Sequence, residues 1–174
     1  MISAIVYTSG TGAAAQYAQL LAGQTHLPVY SLRDARSALA DGAEILYLGW
    51  VMAGSVKGYA DAARRYRVRM VCAVGMAATG TQLSEVRKAS SIPEETALFT
   101  LQGGFHPEKL NAGYRLMMRM MRGVLIRQIA EKPERTPADE DMLDLLRHGG
   151  DRVSEANLAQ PLAWLAAQEK QRQA

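Results

Sequence analysis

Val6-Tyr7-Thr8-Ser9-Gly10-Thr11-Gly12-Ala13-Ala14-Ala15 is the stretch on which the reading of this chain turns. An apolar run, Ile2 to Tyr7, ends in five residues that are all hydroxyl-bearing or glycine. Ala13 to Ala22 then combines strong helix formers with an apolar residue every third or fourth position. The pattern is strand, tight turn, helix. In such a turn, two glycines let the backbone approach an anion, Ser9 and Thr11 offer hydroxyl donors, and the helix N-terminus adds free N–H groups. A phosphate dianion suits that combination. The plainer alternative is an ordinary strand-to-helix turn capped by Thr11. No Gly-Lys-Ser/Thr follows, so this is not a nucleoside-triphosphate loop. Gly10, Gly12 and Ala15 satisfy a relaxed dinucleotide spacing, but no acidic residue closes the second strand to hold a ribose.

Outward from that turn, strand-like and helix-like stretches alternate. Pro28–Leu32 reads as a second strand, and Asp34–Asp41 as a brief helix ended by Gly42. Glu44–Gly49 reads as a third strand, Ser55–Arg67 as a helix and Arg69–Gly75 as a fourth strand. Thr81–Ser90 is a helix and Ala97–Leu101 a fifth strand. Near-continuous apolar strands separated by helices imply a parallel sheet covered on both faces. The expected fold is α/β: a doubly wound five-stranded parallel sheet in order 2-1-3-4-5, in a single domain, 1–174. Its ligand crevice lies beyond the carboxyl ends of the strands.

Three further segments leave strand ends there: Gly49–Ser55, Gly75–Thr81 and Gln102–His106. The first carries Trp50, either an anchor against its neighbouring helix or a surface for a flat aromatic ligand. The candidate site comprises Thr8, Ser9, Gly10, Thr11, Gly12, Ala13 and Ala14 for a phosphate. Trp50, Val51, Met52, Ala53, Gly54, Gly75, Met76 and Ala77 would surround a ring. No side chain presents itself as a catalytic acid or base. His106 precedes Pro107 and is read as the start of a helix.

Beyond the fifth strand the character changes. Residues 106–150 form a helical segment before the last helix, Glu155–Gln171. Within it, Pro107–Lys132 reads as one long helix with an apolar stripe of Leu110, Tyr114, Met117, Met121, Val124 and Leu125. Four of the nine methionines fall in Met117–Met121. Six basic residues (Lys109, Arg115, Arg119, Arg122, Arg127, Lys132) stand against Glu108 and Glu131. Either this is a packing helix with a solvated basic face, or it is a docking surface for an acidic protein or anionic lipid. A following acidic helix, Ala138–Arg147, offers Asp139, Glu140, Asp141 and Asp144 as partners for it.

These features resemble the flavodoxin-like family. That family's phosphate loop reads Ser/Thr-x-Thr-Gly-x-Thr, and Ser9, Thr11 and Gly12 match it. Ala14 stands where the last hydroxyl would be. Within that family, the chain resembles the branch that includes menaquinone-dependent protoporphyrinogen oxidase. It shares the glycine-containing loop after strand 3 and a Gly-Gly turn, here Gly103-Gly104, leading into a long Met- and Arg-containing helix. The resemblance implies noncovalent FMN and redox function, as an electron carrier or an FMN-dependent oxidoreductase. Its partners would be a redox protein or a quinone-like acceptor, the latter reached at a membrane. The loop after strand 4 lacks the second stacking aromatic that many flavodoxins carry. The alternative is a binding module on the same fold that has lost FMN, a reading that Ala14 permits.

Composition narrows the remaining classes. The chain is 48% apolar and only 6% aromatic, so its core is aliphatic. Twenty basic and 17 acidic residues give +3. That modest charge, with no aromatics interleaved among the basic residues, argues against nucleic-acid binding. A phosphoacceptor regulator needs acidic residues after strand 1, and Tyr7-Thr8-Ser9 supplies none. The single cysteine, Cys72, lies in an apolar run and reads as a core residue. Ile2–Tyr7 is too short for a leader, and no apolar run approaches the roughly 20 residues of a membrane span. The expected location is the cytoplasm, with peripheral membrane contact through the basic helix.

Overall fold

A computed structural model describes residues 1–173 of the chain. The strand-turn-helix reading holds locally: β1 (Ile2–Thr8) runs into α1 (Ala13–Thr25). There follow β2 (Val29–Ser31), α2 (Leu32–Ala38), β3 (Glu44–Met52), β4 (Ser55–Val56) and α3 (Tyr59–Arg65). Then come β5 (Arg67–Gly75), α4 (Leu83–Ser90), β6 (Ala97–Gln102) and β7 (Gly104–Phe105). The C-terminal part holds α5 (Ala112–Ala130), α6 (Pro137–His148), β8 (Gly150–Asp151) and α7 (Ala159–Gln173). Short 3-10 helices precede α5 (Pro107–Lys109) and α7 (Glu155–Leu158).

The fold is α/β, with a mostly parallel central sheet flanked by helices. The sheet has six strands where the sequence pattern counts five. Parallel strands lie side by side as β2-β1-β3-β5-β6, and β4 pairs antiparallel with the end of β3. A separate antiparallel ribbon joins β7 to β8, pairing Gly104 with Asp151 and Phe105 with Gly150.

Both sheet faces are buried, which is why the strands read as continuous apolar runs. One face packs Ile5, Leu46, Leu48, Met70 and Leu101 against Tyr17 and Leu21 of α1 and Leu165 of α7. The other packs Val6, Ile45, Tyr47 and Val71 against Ala35 of α2, Tyr59 and Ala62 of α3, and Val86 of α4. Cys72 is a core residue, and burial pushes its thiol up to about 12.

Several boundaries differ from expectation, each for a tertiary reason. Gly49–Met52 continues β3 instead of forming a loop, because Gly49 and Trp50 find partners in Ala73 and Val74. The chain then reverses at Ala53-Gly54, both with positive φ (50 and 78) as in a primed hairpin turn. This makes Ser55 and Val56 a strand and delays the next helix to Tyr59. Ser90 Oγ accepts from the Val56 amide, tying the hairpin to the end of α4. The second helix ends at Ala38 with Leu39 as its C-cap, ahead of Gly42. The long helix after His106 is interrupted, since Asn111 accepts from the Tyr114 amide and starts α5 afresh.

Candidate functional site

The carboxyl ends of β1, β3, β5 and β6 open onto a cavity of about 600 Å³. Its floor is the turn after β1. Gly12 is the N-cap of α1, at φ 112, a left-handed conformation that favours glycine. Its N–H donates to Ser9 Oγ at 3.0 Å. Thr11 is therefore not the cap, and among the described residues its hydroxyl has no partner. The first-turn amides of α1 lack intrahelical acceptors, as in any helix. No acidic side chain occupies that turn. The positive end of the helix faces the cavity, and a carboxylate stands beside it: Asp151, which accepts from Gln16 Nε2 at 3.4 Å.

Trp50 stands over this floor. A Cβ added to Gly10 would lie 2.9 Å from Trp50 Cδ2, so only glycine lets the indole lie this close. The indole also meets Tyr114 of α5 edge-to-face, with centroids 5.4 Å apart and planes at 89°. Both readings of Trp50 thus have a footing: it lines the cavity, and it anchors α5.

Of the sequence-selected residues, the cavity brings together Ser9, Gly10, Thr11, Ala13 and Ala14 from the turn. It also gathers Trp50, Val51, Met52, Ala53 and Gly54 from the hairpin, and Gly75, Met76 and Ala77 from the end of β5. Two expected members lie outside it. Thr8 turns to the other side of β1, where its hydroxyl donates to Tyr47 Oη at 2.8 Å, the Tyr47 proton going to the Lys57 carbonyl. Gly12 is consumed by the cap. Ala14 is fully packed against the core, with 1% exposure.

The sequence reading missed the far wall. Leu110, Met118, Met121, Leu125 and Ile129, with Met142 and Leu146 of α6, roof the cavity with apolar side chains. The expected stripe is met in part: Leu110, Met121 and Leu125 line the cavity and Tyr114 packs on Trp50, whereas Val124 faces out and Met118 is not among the expected residues. Met118 is the one buried residue of α5, while Met121 and Val124 are 41% and 56% exposed. The acidic helix also pairs differently than expected. Only Asp139 reaches a basic residue of the expected long helix, Lys132 at 2.6 Å. Asp141 and Asp144 both bind Arg152, which follows β8 (2.8 and 2.7 Å). Gln102 Nε2 donates to the same Asp141 and so pins α6 to the end of β6.

Two titratable side chains line the cavity among the described residues, His106 and Asp139. Asp139 is held as a carboxylate, lowered to about 2 by the hydrogen bond from Lys132 and by the Thr136 amide and hydroxyl. His106 Nδ1 lies 3.3 Å from Glu108 Oε1, and its imidazole can both donate and accept a proton. Its signal in sequence was its place just beyond a strand end. Among the described residues no group of three or more His, Cys, Asp or Glu could hold a metal ion, and no helix is long and apolar enough to cross a membrane. Comparisons with known protein families, curated proteins and solved structures gave no match.

Proposed function

We propose that this chain is a flavodoxin-like redox protein that binds FMN, acting as an electron carrier or an FMN-dependent oxidoreductase. One observation carries the reading. The cavity joins the N-terminus of α1, which has no acidic residue in its own first turn, and a Thr11 hydroxyl without a partner among the described residues to a chamber walled by an aromatic ring and apolar side chains. That gradient, from anion-binding to apolar, matches a molecule with a phosphate at one end and a flat ring at the other.

The residues fit such a group. The amides of Thr11, Ala13 and Ala14 with the Thr11 hydroxyl would hold the phosphate. Trp50, Met52, Gly54 and Met76 would surround the ring. FMN, when bound, would supply the electron-carrying chemistry. The chain's own contribution is to bind and to exclude water: apolar walls disfavour added charge on a bound ring. The roof of α5 and α6 would admit an apolar acceptor of quinone-like shape, or be displaced by a redox partner protein. His106 is the lining group able to hand over a proton.

The competing module without flavin rests on Trp50, whose indole already packs on Gly10 and Tyr114 inside the chain. Titration of the flavin-free chain with FMN separates the two. The redox reading expects saturable quenching of flavin fluorescence, with Trp50 fluorescence falling in step. The module reading expects no change.

A further inference from the structure

We propose that the outer face of α5 docks on an anionic membrane surface. Six large hydrophobic side chains are exposed among the described residues, and four of them crowd into nine residues of this helix. Leu116, Met120 and Val124 are 60%, 71% and 56% exposed and stand four residues apart, so they form one line along the helix. Among the described residues nothing covers that line, because α5 packs through the opposite side, around Met118.

Charge identifies what covers it. Helix α5 has no acidic residue. Arg115, Arg119 and Arg127 are exposed, and among the described residues they form no ion pair. Arg122 is turned to α6, donating to the Arg147 carbonyl, and Lys132 is held by Asp139. The free guanidinium groups therefore flank the apolar line. An apolar ridge edged by long basic side chains suits a lipid interface: the ridge enters the acyl boundary while the arginines reach the headgroup phosphates. A second copy of this chain fits poorly, since a two-fold contact would set arginine against arginine. The ridge also lacks the Trp and Tyr anchors that dominate protein interfaces.

The placement matters because α5 has two working sides. Met121 belongs to the exposed face and also lines the cavity roof. A molecule dissolved in the bilayer would meet the cavity at this helix. The docking itself does not depend on what the cavity binds.

The test is co-sedimentation of the full chain with vesicles of phosphatidylcholine alone and of phosphatidylcholine with phosphatidylglycerol. The wild-type chain is expected to sediment with the anionic vesicles only, and to be released by salt. Arg115→Glu/Arg119→Glu should lower partitioning about tenfold or more. Leu116→Gln/Met120→Gln/Val124→Gln should lower it even at low salt. These positions are solvent-facing, and circular dichroism checks that each variant keeps the wild-type fold. Absence of wild-type sedimentation at low salt overturns the proposal. So does unchanged partitioning of the glutamine variant, because charge alone would then explain binding. A lipid-free dimer that the glutamine variant dissolves would instead assign the face to a second copy, and would also overturn it.

Discussion

The floor and the roof of the cavity are built from opposite materials. The floor belongs to the sheet. β1, β3 and β5 are buried on both faces, and every residue from Ile45 to Leu48 has zero exposure. The roof belongs to α5 and α6. Met118 is the one buried residue of α5, whereas α6 buries Leu143, Leu145 and Leu146. Helix α6 is further held by the β7–β8 ribbon and by Asp141 with its Gln102 and Arg152 partners, and α5 leans on α6 and on Trp50. A floor that must position groups is rigid, while a roof that must admit a ligand needs a low opening cost. If the cavity binds a ligand as proposed, the difference places binding geometry in the floor and access in the roof.

That contrast can be broken most directly in the core. Leu46→Ala, in the centre of β3, should cost about 3 kcal/mol in urea unfolding. Met118→Ala, in the roof, should lower global stability by only about 1 kcal/mol, because α5 opens without the sheet. Equal losses would mean that roof and floor unfold as one unit. A second cut falls at Tyr47, whose hydroxyl donates to the Lys57 carbonyl at 2.7 Å and accepts from the Thr8 hydroxyl at 2.8 Å. Tyr47→Phe leaves the Lys57 carbonyl and the Thr8 hydroxyl without this partner and should cost about 1–2 kcal/mol, again read by urea unfolding. Arg152→Ala should cost less globally, about 1 kcal/mol. It should raise hydrogen exchange in α6 far more than in β1 or β3.

Acid sharpens the same comparison. Asp139 is lowered from 3.8 to about 2, mainly by Lys132, and Asp144 is lowered by His148 and Arg152. A carboxylate whose pKa is depressed on folding contributes stability that is fully present above its unfolded value. That contribution is lost as pH falls through the folded value. Amide exchange in α6 should therefore accelerate between about pH 4 and about pH 2, ahead of exchange in β3. Simultaneous loss of both would contradict a weakly hung roof.

Much of the floor was legible because its signals are local. Ile2–Thr8 and Arg67–Gly75 are apolar runs, and the glycine-hydroxyl turn sits between strand and helix in sequence as in space. The hairpin was hidden because Ser55 and Val56 gain a strand partner only when Val51 and Met52 continue β3. The β7–β8 ribbon joins residues 104–105 to 150–151 and has no local mark at all. The phase of α5 was legible in part. Tyr114, Met121 and Leu125 were expected on its apolar stripe and meet Trp50 or the cavity. Met118 was missed because Met117, Met118, Met120 and Met121 are equally apolar, and only the position of α6 selects it. Likewise, Asp141 and Asp144 have basic neighbours in sequence on both sides, and the ribbon decides for Arg152.

The central claim is that the floor binds the phosphate of FMN, and Thr11 is the place to ask. Thr11→Val removes a hydroxyl that has no partner among the described residues, so folding should be untouched while the proposed phosphate site would lose one donor. Fluorescence titration of the flavin-free chain with FMN, and separately with riboflavin, is the direct measurement. The account expects wild type to bind FMN more tightly than riboflavin. It expects Thr11→Val to weaken FMN by about tenfold, consistent with one hydrogen bond to a charged group, and to leave riboflavin unchanged. Equal affinity of the wild-type chain for FMN and riboflavin, or no binding of either, would contradict it.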